Sequence, residues 1–185
     1  MKRQWWLLLA ALSGCATLPP APPRAQAFFP SFEISGRISV RHENAGFSGN
    51  LHWRHVLDED EFVVLTPFGQ GVARITQNSQ GASLQLADGQ VLHAPDAESL
   101  TQQALGFRLP LGGLPRWIQA QAVSSDVVMR HNENGTLGFL NEQGWNIEYS
   151  AYQAQGAALL PGKFSMENAE LKLRLIIDDW QAPAP

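Results

Sequence analysis

The sequence predicts a mainly β domain of about eleven antiparallel strands, interrupted once by two short helices. Three observations lead there. Apolar and polar residues alternate over most of the chain, turn signals recur between the alternating runs, and residues 96–122 change to helical spacing.

The first thirty residues stand apart from that pattern. Lys2 and Arg3 precede an apolar run from Trp5 to Leu12. A helix needs roughly 20 residues to cross a hydrocarbon core, so this run matches the apolar stretch of a signal peptide instead. It ends in Leu12-Ser13-Gly14-Cys15, which resembles the bacterial lipobox. Cys15 is the only cysteine, so it has no disulfide partner within the chain, and it stands where lipidation requires it. Residues 1–14 are therefore expected to be a lipoprotein signal peptide and Cys15 the acylated terminus. Ala16, and not Asp, follows that cysteine, and the sorting resemblance favours the outer membrane.

Residues 15–30 read as a tether. Five prolines fall between Ala16 and Pro30, and at ~3.1 Å per residue the segment spans at most about 45 Å. Residues 31–185 form the domain, with Phe28 and Phe29 either beginning it or touching it. Cleavage removes two basic groups and no acidic one, which takes the net charge from −4 to −6. Such a chain is a poor match for nucleic acid or for a polybasic membrane contact. Attachment then comes from acyl chains, at ~0.8 kcal/mol per buried methylene.

Each strand follows from alternation. Phe32, Ile34, Gly36, Ile38 and Val40 share one face, with Ser35, Arg37, Ser39 and Arg41 on the other. After the turn at Asn44-Ala45-Gly46, Phe47, Gly49, Leu51 and Trp53 alternate with polar partners. Strands 61–66 and 71–77 flank Pro67-Phe68-Gly69-Gln70, and 82–87 and 90–94 flank Asp88-Gly89, a strong hairpin signal. Then Asp96 can cap a helix through Ala97, Leu100, Ala104 and Leu105, ended by Gly106. A second helix uses Leu114, Trp117 and Ile118 as its stripe, with Pro115 in the first turn. Strands 127–131, 136–141, 145–149, 163–167 and 171–177 complete the set. Helices amid hairpins suggest a curved sheet with a helical cover, and composition also allows a closed barrel.

Known catalytic patterns are missing from the sequence. The histidines at 42, 52, 55, 93 and 131 lack zinc-hydrolase spacing and read as surface or strand-edge residues. Gly46-Phe47-Ser48-Gly49 fails as a nucleophile elbow, and no phosphate-binding glycine loop occurs. The acidic run Asp58-Glu59-Asp60-Glu61 lacks the glycine and distal glutamate of an EF-hand and reads as a solvated turn. No catalytic residue, metal or cofactor is expected.

What stands out is apolar. Trp53, Trp117, Trp145 and Trp180 are spread over strands and a helix, where they either fill an ordinary core or wall a concave pocket. Pro67-Phe68-Gly69 places a large aromatic at a turn, where it folds back or points outward into a lipid interface.

Gly36 to Val40, Phe47 to Trp53, Leu65 to Gln70, Leu105-Gly106 through Leu109-Pro110, Leu114 to Ile118, Gln143-Gly144-Trp145, Leu160-Pro161 and Asp179-Trp180 together resemble the outer-membrane lipoprotein receptor family LolB. The resemblance implies an unclosed antiparallel β-barrel with a helical lid over an apolar cavity. It implies a monomeric receptor that takes lipoproteins from the periplasmic carrier LolA, binds their acyl chains and inserts them into outer-membrane lipid. The family's protruding loop carries an exposed leucine at the position of Phe68, so Pro67, Phe68 and Gly69 become the membrane-insertion loop. Trp53, Leu65, Leu114, Trp117, Ile118 and Trp145 are the candidates for cavity wall or lid. Two other classes compete: a tethered scaffold with a filled core and no lipid ligand, and the soluble carrier, which an anchor argues against. An esterase would need a Ser–His pair converging in space.

Overall fold

The computed structural model describes residues 28–43 and 45–181. Its eleven strands are β1 (Ser31–His42), β2 (Ala45–Val56), β3 (Glu59–Leu65), β4 (Gly71–Asn78), β5 (Gly81–Leu86), β6 (Val91–Ala94), β7 (Val128–His131), β8 (Leu137–Glu142), β9 (Trp145–Gln155), β10 (Ala158–Glu167) and β11 (Leu171–Gln181). They form one sheet in the order β6-β5-β4-β3-β2-β1-β11-β10-β9-β8-β7. Every neighbouring pair is antiparallel. The chain is thus two meanders joined through β1 and β11, and β6 and β7 are the two free edges. The sheet stays open where the chain between those edges, residues 95–127, turns into the helices α1 (Ala97–Leu105) and α2 (Leu114–Trp117).

Alternation carries through to burial. Phe32, Ile34, Ile38 and Val40 of β1 face inward, as do Leu171, Leu173, Leu175 and Ile177 of β11. Irregular register at Ser35/Gly36, Val64/Leu65 and Pro161/Lys163 bends the sheet towards its apolar side. Inside the curve, the Phe32 ring meets Trp53 at 5.1 Å and Trp180 at 5.4 Å, both edge-on. Edge-to-face contact is a favoured arrangement of such rings.

The helices follow their local sequence unequally. Asp96 caps α1, its Oδ1 accepting from the Ser99 N–H at 2.6 Å, and Gly106 ends it in a left-handed conformation at φ 84°. α2 is a single turn of 4 residues, shorter than the expected stripe through Ile118. β9 and β10 run further than expected, because Ala151–Gln155 pairs with Ala158–Lys163, where Leu160 and Tyr152 extend the core. The tether's last residues do engage the domain. Phe29 N–H donates to Gln119 Oε1 at 2.7 Å, and Gln119 Nε2 donates back to the Phe29 carbonyl at 3.1 Å. Cys15 and most of the tether lie outside the described residues.

Candidate functional site

Five of the six expected wall residues converge on the covered side of the sheet, and Leu65 does not join them. Trp53 and Trp117 are each 1% exposed, and Leu114, Ile118 and Trp145 are buried beside them in the same core. Leu65, at the end of β3, is half-buried. The interior is occupied by the protein's own side chains: Phe62 stacks on Trp53 at 4.7 Å, for example.

A cavity of about 420 Å³ opens beside this core, between α1, the following loop and the sheet turns. Of the six wall candidates it touches Trp117 and Trp145, and His42, Glu98, Gln102, Arg108 and Glu170 make it largely polar. Burial pushes the Glu98 carboxyl above its ordinary value, helped by Asp96 and opposed by Arg108. His42 stacks on Phe107 at 4.7 Å and so joins the end of β1 to the cover.

Two buried carboxylates escaped the sequence reasoning. Asp60 is buried, a correction to the solvated-turn expectation for residues 58–61. Its Oδ1 accepts from Trp53 Nε1 at 2.7 Å and lies 2.8 Å from His55 Nδ1. His55 is buried too, under Phe32 at 4.9 Å, and is a core residue and not a surface one. The physical reason is register: His55 faces Asp60 across the β2–β3 ladder, on the inward side of both strands. Alternation carried one step past Leu51 and Trp53 points His55 inward, and the i, i+5 spacing across a two-residue turn brings Asp60 to it.

Glu142, at the end of β8, is the second. Its carboxylate accepts from Trp117 Nε1 at 2.7 Å, the Val123 N–H at 3.0 Å and the Ser124 N–H and hydroxyl. Burial would raise its pKa, but these donors outweigh that and hold it below the ordinary value. Tyr149 adds a tie from β9, its hydroxyl donating to the Trp117 carbonyl at 2.8 Å. Burial of that phenol pushes its pKa up, so it remains a donor.

At the β3–β4 turn the side chain of Phe68 is 94% exposed. The turn beneath it is closed by hydrogen bonds. Thr66 N–H donates to the Gln70 carbonyl at 2.8 Å, Gly69 N–H to the Thr66 carbonyl at 2.9 Å, and Asn50 Nδ2 to that same carbonyl at 3.3 Å. Gly69 takes φ 84°, which L side chains rarely adopt. Gly49 is needed at the root, where a Cβ would stand 2.4 Å from the Leu65 carbonyl oxygen. Pro67, Phe68 and Gly69 thus form an outward apolar tip on a braced base.

A family model described as "Outer membrane lipoprotein LolB" matches residues 30–180. The chain belongs to the LolB family. A Thiobacillus denitrificans protein named outer-membrane lipoprotein LolB is 37% identical over 176 residues, 93% of this chain and 92% of its own. An Azoarcus relative of the same name is 34% identical, covering 93% and 90%. A LolA superfamily protein from Nitrosomonas europaea, of known crystal structure, shares the fold at a TM-score of 0.54 and 13% identity, covering 88% of this chain and 91% of its own. This LolB-family member is accordingly an outer-membrane lipoprotein of lipoprotein localisation. Its unclosed sheet is the family's expected architecture.

Proposed function

We propose that this LolB-family chain accepts lipoproteins from the periplasmic carrier LolA, shelters their acyl chains under its cover, and releases them into the outer membrane beside Phe68. The observation that carries it is the braced, almost fully exposed Phe68 on a lipid-anchored protein. An aromatic ring at a braced tip suits the headgroup level of a bilayer. The chain supplies no energy source, so each handover runs downhill in affinity, from carrier to this domain to bilayer.

Acyl chains need apolar space that the covered form fills with side chains. α1 rests on β4, β5 and β6 through Ala97, Leu100 and Ala104. Lifting that contact exposes the apolar floor, and acyl chains take over the contact area α1 gives up. The proposed entry therefore lies under α1, with Trp117 and Trp145 at its border and Trp53, Leu114 and Ile118 as the fixed wall.

The packed interior is also what a tethered scaffold without lipid ligand would show. Vesicles bearing the acylated chain, mixed with carrier loaded with a triacylated lipoprotein, separate the two. The receptor takes the lipoprotein from the carrier, and Phe68→Glu lets it accept but not release, so cargo accumulates on the variant. If cargo stays on a competent carrier, or Phe68→Glu delivers normally, the receptor assignment for this site is wrong.

A further inference from the structure

The outward residues of β1 include Arg37, Ser39 and Arg41. Register places Ser39 between Arg174 of β11 and Ser48 of β2, and Arg41 between Lys172 and Gly46. Small residues between long cationic ones leave a shallow trough on the convex face. One stretch of about 240 Å³ has a mostly apolar lining, with Ile176 beside Arg37, Arg174 and Ser48, and reaches Pro67 at the base of the Phe68 turn. The next, about 390 Å³, is walled by Arg41, Glu43 and Gly46, and the two share Ser39 and Ser48. The trough therefore runs from Arg41 to the root of the exposed tip.

Charge is distributed unevenly along it. Arg37 is tied to Asp178 at 2.9 Å and Lys172 to Glu167 at 2.7 Å. Arg41 and Arg174 make no ion pair with any described residue. Among the trough walls Glu43 is the carboxylate, against Arg37, Arg41 and Arg174. A guanidinium fork matches phosphate oxygens in pairs, and salt limits its reach to about 8 Å. The acidic chain as a whole gives no long-range attraction to an anionic surface. These arginines act only on a face already brought to the bilayer.

We propose that Arg41 and Arg174 bind the phosphodiester headgroups of anionic phospholipid, so that the convex β1–β11 face lies on the membrane when the Phe68 tip is inserted. The proposal rests on Phe68 as an interfacial anchor and adds the orientation and the lipid class. The occupant is a bilayer because the trough is continuous with the apolar tip: the pair matches the layering of headgroup over acyl chain.

The test uses the full acylated chain in phosphatidylethanolamine vesicles, with and without phosphatidylglycerol. A fluorophore on His52→Cys, outward on β2 beyond the trough and distinct from the acylated Cys15, reports contact with a quencher carried on lipid headgroups. Quenching should require phosphatidylglycerol and weaken as salt rises. Arg41→Gln and Arg174→Gln should each lower the ratio of face-down to face-away orientations about fivefold, ~1 kcal/mol per charge at an anionic surface. Quenching that ignores phosphatidylglycerol and both arginine substitutions, yet is lost in Phe68→Glu, overturns the headgroup site and leaves the anchor standing. Quenching that ignores all three substitutions overturns both.

Discussion

The two helices of the cover are held by different forces. α1 carries its own stability: a side-chain cap at Asp96, a left-handed Gly106, and an apolar underside on β4–β6. Among the described residues its backbone is tied to the sheet by the Ala97 N–H, which donates to Gln77 Oε1 at 3.3 Å. α2 has no side-chain cap and one turn of length, yet Glu142, Tyr149 and the Gln119–Phe29 pair fix it to the sheet and to the incoming chain. Apolar contact has no direction and can be remade with another apolar surface. A buried carboxylate with four donors cannot be replaced by lipid. In the proposed function, the contrast assigns the opening to α1 and leaves α2 with the wall.

Removing the α2 latch should have the largest effect. Glu142→Ala strands the buried Trp117 indole N–H and releases the Val123 and Ser124 N–H groups at the exposed edge, and should cost about 2 kcal/mol, read as a lowered denaturation midpoint at unchanged slope. The same group predicts a pH dependence. Its folded pKa lies below the ordinary carboxylate value, so its contribution is complete above the unfolded pKa near 4.5 and is lost as pH falls through the folded value. Glu142→Gln should flatten that acid limb of the stability curve, and an unaltered limb would put the proton elsewhere.

A smaller loss is expected from Tyr149→Phe, which deletes one buried hydrogen bond to Trp117 and should cost about 1 kcal/mol. Hydrogen exchange at residues 117–120 should quicken while α1 is unaffected. The mildest change tests the other half. Asp96→Ala removes the α1 cap, worth roughly 1 kcal/mol, and should speed exchange in α1 alone. If it loosened α2 equally, the two halves would be one unit and the contrast would collapse.

Local signals were legible because the residues that carry them are close in sequence. Both caps of α1 stand within ten residues of each other, and Phe32 to Val40 announce their inward face by spacing alone. β7 was legible as a strand at 127–131, but its place was not: Val128, Met129, Arg130 and His131 are all exposed, and pairing with β8 alone makes them a sheet edge. The exposed tip was half legible: Pro67 and Gly69 mark a turn, but the Thr66–Gln70 bonds and Asn50 decide that Phe68 points outward. The wall was least legible, since a tryptophan against Phe62 and one beside a polar cavity look alike in sequence.

The sequence by itself determined the strand faces and α1, because alternation and caps act over a few residues; the expected acylation at Cys15 rests on the Leu12–Cys15 motif. Tertiary structure decided that the sheet opens between β6 and β7, that Asp60 and Glu142 are buried, and that Arg41 and Arg174 flank one trough. Apart from Asp60, whose partners Trp53 and His55 sit across one hairpin, those outcomes depend on partners far along the chain: Glu142 meets Trp117 across 25 residues, and Ser39 meets Arg174 only through the β1–β11 register. No local preference encodes such contacts. They exist because burial of one apolar face fixes which strands are neighbours, and the polar groups carried along must then find donors where they land.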